Sequence, residues 1–218
     1  MNGNETRQVE GGMNREVAAE LRVNLIRIIS ISAFYLIHLW NYLAPKLGAA
    51  VSGFIGLGDV TVSFPRHIAV TTLCLAWLMV AFIVHFLIDQ RKVSDRLTLW
   101  STLADIALLT AILSVSSGPA GPMVAGFFLI LMLTGLRFNL RLVRIATVAA
   151  AIGYLTVLAV SRWPQGILEN NELTTVPRYH QVMILVAIII SGVIMGQIVR
   201  HAYAVCADSL SLGSKKSS

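Results

Sequence analysis

Long apolar stretches alternate with short polar connectors along the whole chain, and this alternation predicts its elements. Residues 97–160 show the pattern most clearly: three apolar blocks, separated by the turn SSGPAGP at 116–122 and by an arginine-rich turn at 137–144. The hydrocarbon core of a bilayer is about 30 Å thick and takes about 20 helical residues per crossing. By that measure the chain predicts six spans, at 25–44, 68–88, 97–115, 123–138, 143–161 and 181–199. No strict polar and apolar alternation marks a barrel strand, so the expected class is all-α: a polytopic integral membrane protein. Residues 1–24 are expected to form an N-terminal segment, polar and unstructured to about residue 12, with a juxtamembrane helix capped by Asn14. The connector 46–67 is glycine-rich and reads as a loop with an interfacial segment. Residues 162–180 read as a second polar loop, and 200–218 as a short tail.

Composition excludes a soluble globule. Of 218 residues, 56% are hydrophobic and 13% charged, so lipid must solvate much of the surface. The net charge of +6 follows the connectors. Thirteen of the 17 Lys and Arg residues fall on the side of the two termini, against Lys46, Arg66, Arg162 and Arg178 on the other. That bias predicts both termini in the cytoplasm and a multi-pass protein of the bacterial inner membrane. Basic residues are not interleaved with aromatics, so nucleic acid is not an expected partner. Cys74 and Cys206 form neither a disulfide framework nor a metal motif.

Within the spans, an ionisable residue is the first candidate for chemistry. Asp105 lies about eight residues into the third span, and the helical rise places Thr134, Tyr154 and Ser191 at a similar depth. One acid and three hydroxyls are thus expected to share a layer, either gluing the helices or sensing a ligand or proton. His38 is a further sensing candidate. His85 lies roughly 15 Å from it along the axis, too far for both to ligate one metal, and is expected to pair with Asp89. Gly192 and Gly196 form GxxxG, and Ala149 and Gly153 repeat its small-residue spacing; both suit close helix packing. Arg137, Arg141 and Arg144 stand at helical spacing beside the membrane and are expected to contact lipid headgroups or a partner. No HExxH, GxSxG, phosphate-cradling glycine loop or CxxC is present, so no enzymatic activity, cofactor or metal is expected.

Asp105, the SSGPAGP turn, the apolar span FFLILMLTGLRF and the basic turn into RLVRIATVAAAIGYL resemble the six-helix membrane input modules of bacterial sensor histidine kinases and class III nucleotide cyclases. In those families the sixth span runs through a helical linker into a catalytic domain, whereas here about 18 residues follow Arg200. The resemblance therefore implies an anchor or sensor alone, or a truncated relative, with no catalysis carried over; as a sensor it would signal to a separate cytoplasmic protein and could homodimerise through the last span. A small transporter or proton-coupled permease using Asp105 is the alternative.

Overall fold

The structure is a computed structural model, and it describes residues 3–47, 63–90, 94–116, 118–162 and 177–216. Among the described residues six helices follow one another: α1 (Gly3–Leu47), α2 (Phe64–Asp89), α3 (Asp95–Val115), α4 (Ala125–Gly135), α5 (Leu140–Arg162) and α6 (Arg178–Lys216). Two 3-10 turns, Gly118–Ala120 and Pro122–Val124, lead from α3 into α4. No strand occurs among the described residues. Among the described residues five helices are long and apolar enough to cross a membrane, and Pro122–Gly135 is a shorter apolar sixth. The described residues are therefore all-helical apart from their turns, and the protein is of the multi-pass membrane class.

Helix termini follow local chemistry. Ser94 caps α3, its hydroxyl accepting from the Leu97 amide, and Asp95 adds negative charge to the first turn. α2 starts at Phe64, four residues before the expected span, because Pro65 is pre-organised for a first helical turn. α1 begins at Gly3 rather than at Asn14, since extending an existing helix needs no new nucleus. α6 likewise continues through the expected tail to Lys216. At 45 and 39 residues, α1 and α6 are about 68 and 58 Å long, well beyond a bilayer core. The expected interfacial segment within 46–67 and the polar loop 162–180 fall largely outside the described residues.

The short α4 is buried over most of its surface, whereas each longer helix buries one narrow stripe. On α2 it is Val70, Cys74, Trp77, Ala81, Val84 and Ile88, an alternating four-and-three spacing that suits helices crossing at a shallow angle. Leu75, Met79, Phe82, Ile83 and Phe86 are exposed on the other side of the same helix, as a lipid-facing surface requires. Contacts alternate in direction: Asn24 of α1 meets Ala81 of α2, while His38 meets His67. The bundle thus has a basic end, holding Arg22, Arg96, Arg141 and Arg200, and an opposite end holding Lys46 and Arg162.

Close approaches occur at glycines. A Cβ on Gly192 would meet the Thr147 side chain, and one on Gly135 the Met195 side chain, so α6 lies directly on α5 and α4. A Cβ on Gly153 would meet Thr110 and Phe127, with Ala149 half-buried on the same helix. The GxxxG residues therefore face α5 of the same chain. The α3–α4 connection is also packed inward: Gly118, Pro119, Gly121 and Val124 are buried.

Candidate functional site

A buried charge network joins α1, α2, α3 and the α4–α5 turn. On α1 the 4-3 spacing of Glu20, Asn24 and Arg27 sets these polar residues on one face. On α3, Thr98, Ser101, Thr102 and Asp105 do the same. The faces meet. Arg27 Nη2 lies 2.8 Å from Asp105 Oδ2, with the two side chains 3% and 4% exposed. Trp77 Nε1 of α2 donates to Asp105 Oδ1 at 2.8 Å. Arg27 also donates to Asn24 Oδ1 and Ser101 Oγ, and Asn24 Nδ2 donates to the Ala81 carbonyl.

Nearer the basic end the motif repeats. Arg137 Nη1 donates to the Thr102 hydroxyl at 2.7 Å and to the Thr98 carbonyl. Its Nη2 lies 2.9 Å from Glu20 Oε2, close but not aligned as a hydrogen bond. The Thr98 hydroxyl donates to Glu20 Oε1. Two acids and two arginines make the network neutral, which is the condition for holding such charges out of water. The Nε atoms of both arginines have no acceptor within reach, so the network is tightly held but not fully satisfied.

Among the described residues, Asp105 makes no hydrogen bond to Thr134, Tyr154 or Ser191. Thr134 Oγ1 donates to the Leu131 carbonyl of its own helix. Tyr154 is fully buried with its ring edge-on to Phe127, and its hydroxyl has no partner among the described residues. Ser191 is half-buried on α6 and is not a hydrogen-bond partner of Asp105. A side chain of opposite charge outcompetes neutral hydroxyls for a buried carboxylate. Arg137 corrects a second expectation: it is buried in the network rather than set against headgroups, while Arg141 and Arg144 are exposed. His85 and Asp89 are both exposed and form no ion pair among the described residues.

His38 has a different partner, His67, one turn into α2. His38 Nε2 and His67 Nδ1 are 3.3 Å apart. Tyr42 stacks on the His67 ring at 3.8 Å, and Lys46 Nζ sits 3.7 Å from the Tyr42 centroid. The bond requires one imidazole nitrogen to carry a proton and the other to be bare, at the end of the bundle opposite the network. His67 was hidden in the expected loop; Pro65 just before it was the available signal of a helix start. No group of three or more His, Cys, Asp or Glu residues suited to a metal occurs among the described residues.

The turn after α4 carries backbone strain. Phe138 has φ of 50°, in the left-handed region, and its carbonyl accepts from the Tyr203 hydroxyl of α6 at 2.6 Å. A bulky residue there costs roughly 1–3 kcal/mol. Phe138→Gly is expected to raise stability by about 1 kcal/mol, the strain relief exceeding the added unfolded-state freedom. Reversible unfolding in mixed micelles measures it, and a loss of stability would mean that the exposed Phe138 ring contributes more than the strain costs.

No family model matches the chain, and searches of curated proteins and of solved structures also give no match.

Proposed function

We propose that the protein is a non-catalytic membrane sensor or scaffold module that passes a signal to a cytoplasmic partner. It has six membrane helices with both termini in the cytoplasm of a bacterial cell. The observation that carries this reading is the α4–α5 turn, which ties together the two helices that outrun the membrane. Arg137 connects the turn to Glu20 on α1, and the Phe138 carbonyl connects it to Tyr203 on α6. A shift of one helix therefore loads a turn already held in an unfavourable conformation, and the other helix feels it. Signalling needs such an element, packed in two discrete arrangements that a cue can bias. The bias of basic residues toward the end holding this turn supports its cytoplasmic placement.

The test is affinity recovery of partners from the native membrane, using the detergent-solubilised chain tagged at its C-terminus and a tail-deleted control. The expected result is a kinase, cyclase or regulator whose recovery falls about fivefold in Tyr203→Phe, the factor equivalent to one lost hydrogen bond. Recovery of the chain alone, or recovery unchanged by tail deletion, would overturn the reading.

A permease using Asp105 is the second reading. One observation favours it: α4 is short and is reached through buried irregular backbone, as in the interrupted helices of transporters. The pairing of Asp105 with Arg27 weighs against it, because a coupling carboxylate must be reached by water. Proton flux into proteoliposomes, lost in Asp105→Asn under conditions where that variant stays folded, would favour transport.

A further inference from the structure

Between α5 and α6, at the basic end, the structure holds a cleft of about 280 Å³. It is lined by the polar Arg144, Gln197 and Arg200 and by the apolar Val143, Val148 and Val193, the last two exposed at its open side. Gly196 keeps the floor open: a Cβ there would reach only ordinary contact with Leu140. Gly192, one turn deeper, closes the cleft by packing against Thr147. From Arg200 to Gly192 the helix rises about 12 Å, so a polar mouth passes into an apolar slot within two to three turns. No acidic residue lines the cleft, and neither Arg144 nor Arg200 forms an ion pair among the described residues.

We infer that this cleft is a binding site for one anionic phospholipid. The phosphate sits between Arg144 and Arg200, and the start of an acyl chain lies along Val148 and Val193. Charge complementarity selects this occupant. Two exposed guanidiniums and a carboxamide recognise a phosphodiester. The lining residues follow α5 from Leu140 to Val148 and α6 from Gly192 to Arg200, so the slot runs along the helices, as an acyl chain does. A second copy of the chain is the less suited occupant, because the GxxxG face is already spent on Thr147 and the mouths of two copies would bring like charges together. The site does not depend on the signalling reading. It requires only that the bundle sit in a membrane.

Native mass spectrometry of the purified full chain tests it, titrated separately with dioleoylphosphatidylglycerol and dioleoylphosphatidylcholine. The expected result is one phosphatidylglycerol bound at least about tenfold more tightly than phosphatidylcholine, with each of Arg144→Gln and Arg200→Gln weakening it about fivefold. Gly196→Leu, which fills the slot and leaves the charges in place, should also weaken binding. Val193→Phe fills the slot from an exposed position and serves if Gly196→Leu unfolds. Three outcomes would each overturn the inference. One is a phosphatidylglycerol preference kept in both arginine variants. Another is binding unaffected by slot filling, or matched by soluble glycerol phosphate, since either would reduce the site to surface charge. The third is a lipid-free dimer that slot filling disrupts without changing lipid uptake.

Discussion

Arg27→Met is expected to lower the stability of the protein by about 3–5 kcal/mol, and Asp105→Leu by a similar amount. Each change strands the other charge where it is almost wholly out of water, at 3% and 4% side-chain exposure. Asp105→Asn should recover little. Its amide oxygen can still accept from Trp77, but nothing then neutralises Arg27. The double variant Arg27→Met/Asp105→Leu is expected to be far less damaged than the sum of the single changes, because an apolar pair of similar volume avoids the desolvation cost of both ions. The unfolded reference in a membrane protein keeps its helices and finds new polar partners, so values at the lower end of the range fit best. Titration with a denaturing detergent, followed by the fluorescence of the tryptophans, gives all four stabilities. Single changes under about 1 kcal/mol that simply add would show that the two groups are solvated in the folded state.

Much of the bundle was legible because apolar length is a strong signal. The apolar stretches of the sequence lie on α1 to α6, with the largest boundary differences where helices extend past the apolar stretch. Asp105 was legible as a costly charge at membrane depth. Its partner was not. Arg27 lies two residues inside an apolar stretch that starts at Leu25, and it was counted with the basic residues of the interface. The missing clue was the 4-3-4 spacing of Glu20, Asn24, Arg27 and Ile31, a polar stripe that reaches into an otherwise apolar helix and ends on a core residue. An acid and a base each within a span, on helices that can be neighbours, are better read as a pair than as a site and an anchor.

The same reasoning explains why three arginines at helical spacing have two different fates. Arg137, Arg141 and Arg144 share one face only if one helix runs through them. The helix stops at Gly135, and the left-handed Phe138 reverses the chain before α5 begins at Leu140. Arg137 therefore belongs to the end of α4 and turns inward, while Arg141 and Arg144 ride on α5 and stay exposed. Nothing in FNLRLVR announces that reversal, because phenylalanine rarely adopts a positive φ.

Arg137→Met is accordingly expected to cost about 2–4 kcal/mol, whereas Arg141→Met, four residues away, should stay within about 0.5 kcal/mol. Arg137 gives up bonds to the Thr102 hydroxyl and the Thr98 carbonyl, and its contact with Glu20. The cost falls short of that for Arg27 because Glu20 keeps 12% side-chain exposure and can turn to water. Arg137→Lys should recover only part of the loss, since an ammonium cannot serve a hydroxyl, a carbonyl and a carboxylate from one planar fork. Thr98 and Ser101 join the two halves of the network: Ser101 accepts from Arg27 and donates to the Thr98 carbonyl that Arg137 also uses. The Arg27→Met/Arg137→Met pair should therefore depart from additivity by about 0.5–2 kcal/mol in the unfolding titration. Equal, small effects at Arg137 and Arg141 would mean that the turn does not carry Arg137 inward. The link from α1 through the turn to α6 would then fail at its first contact.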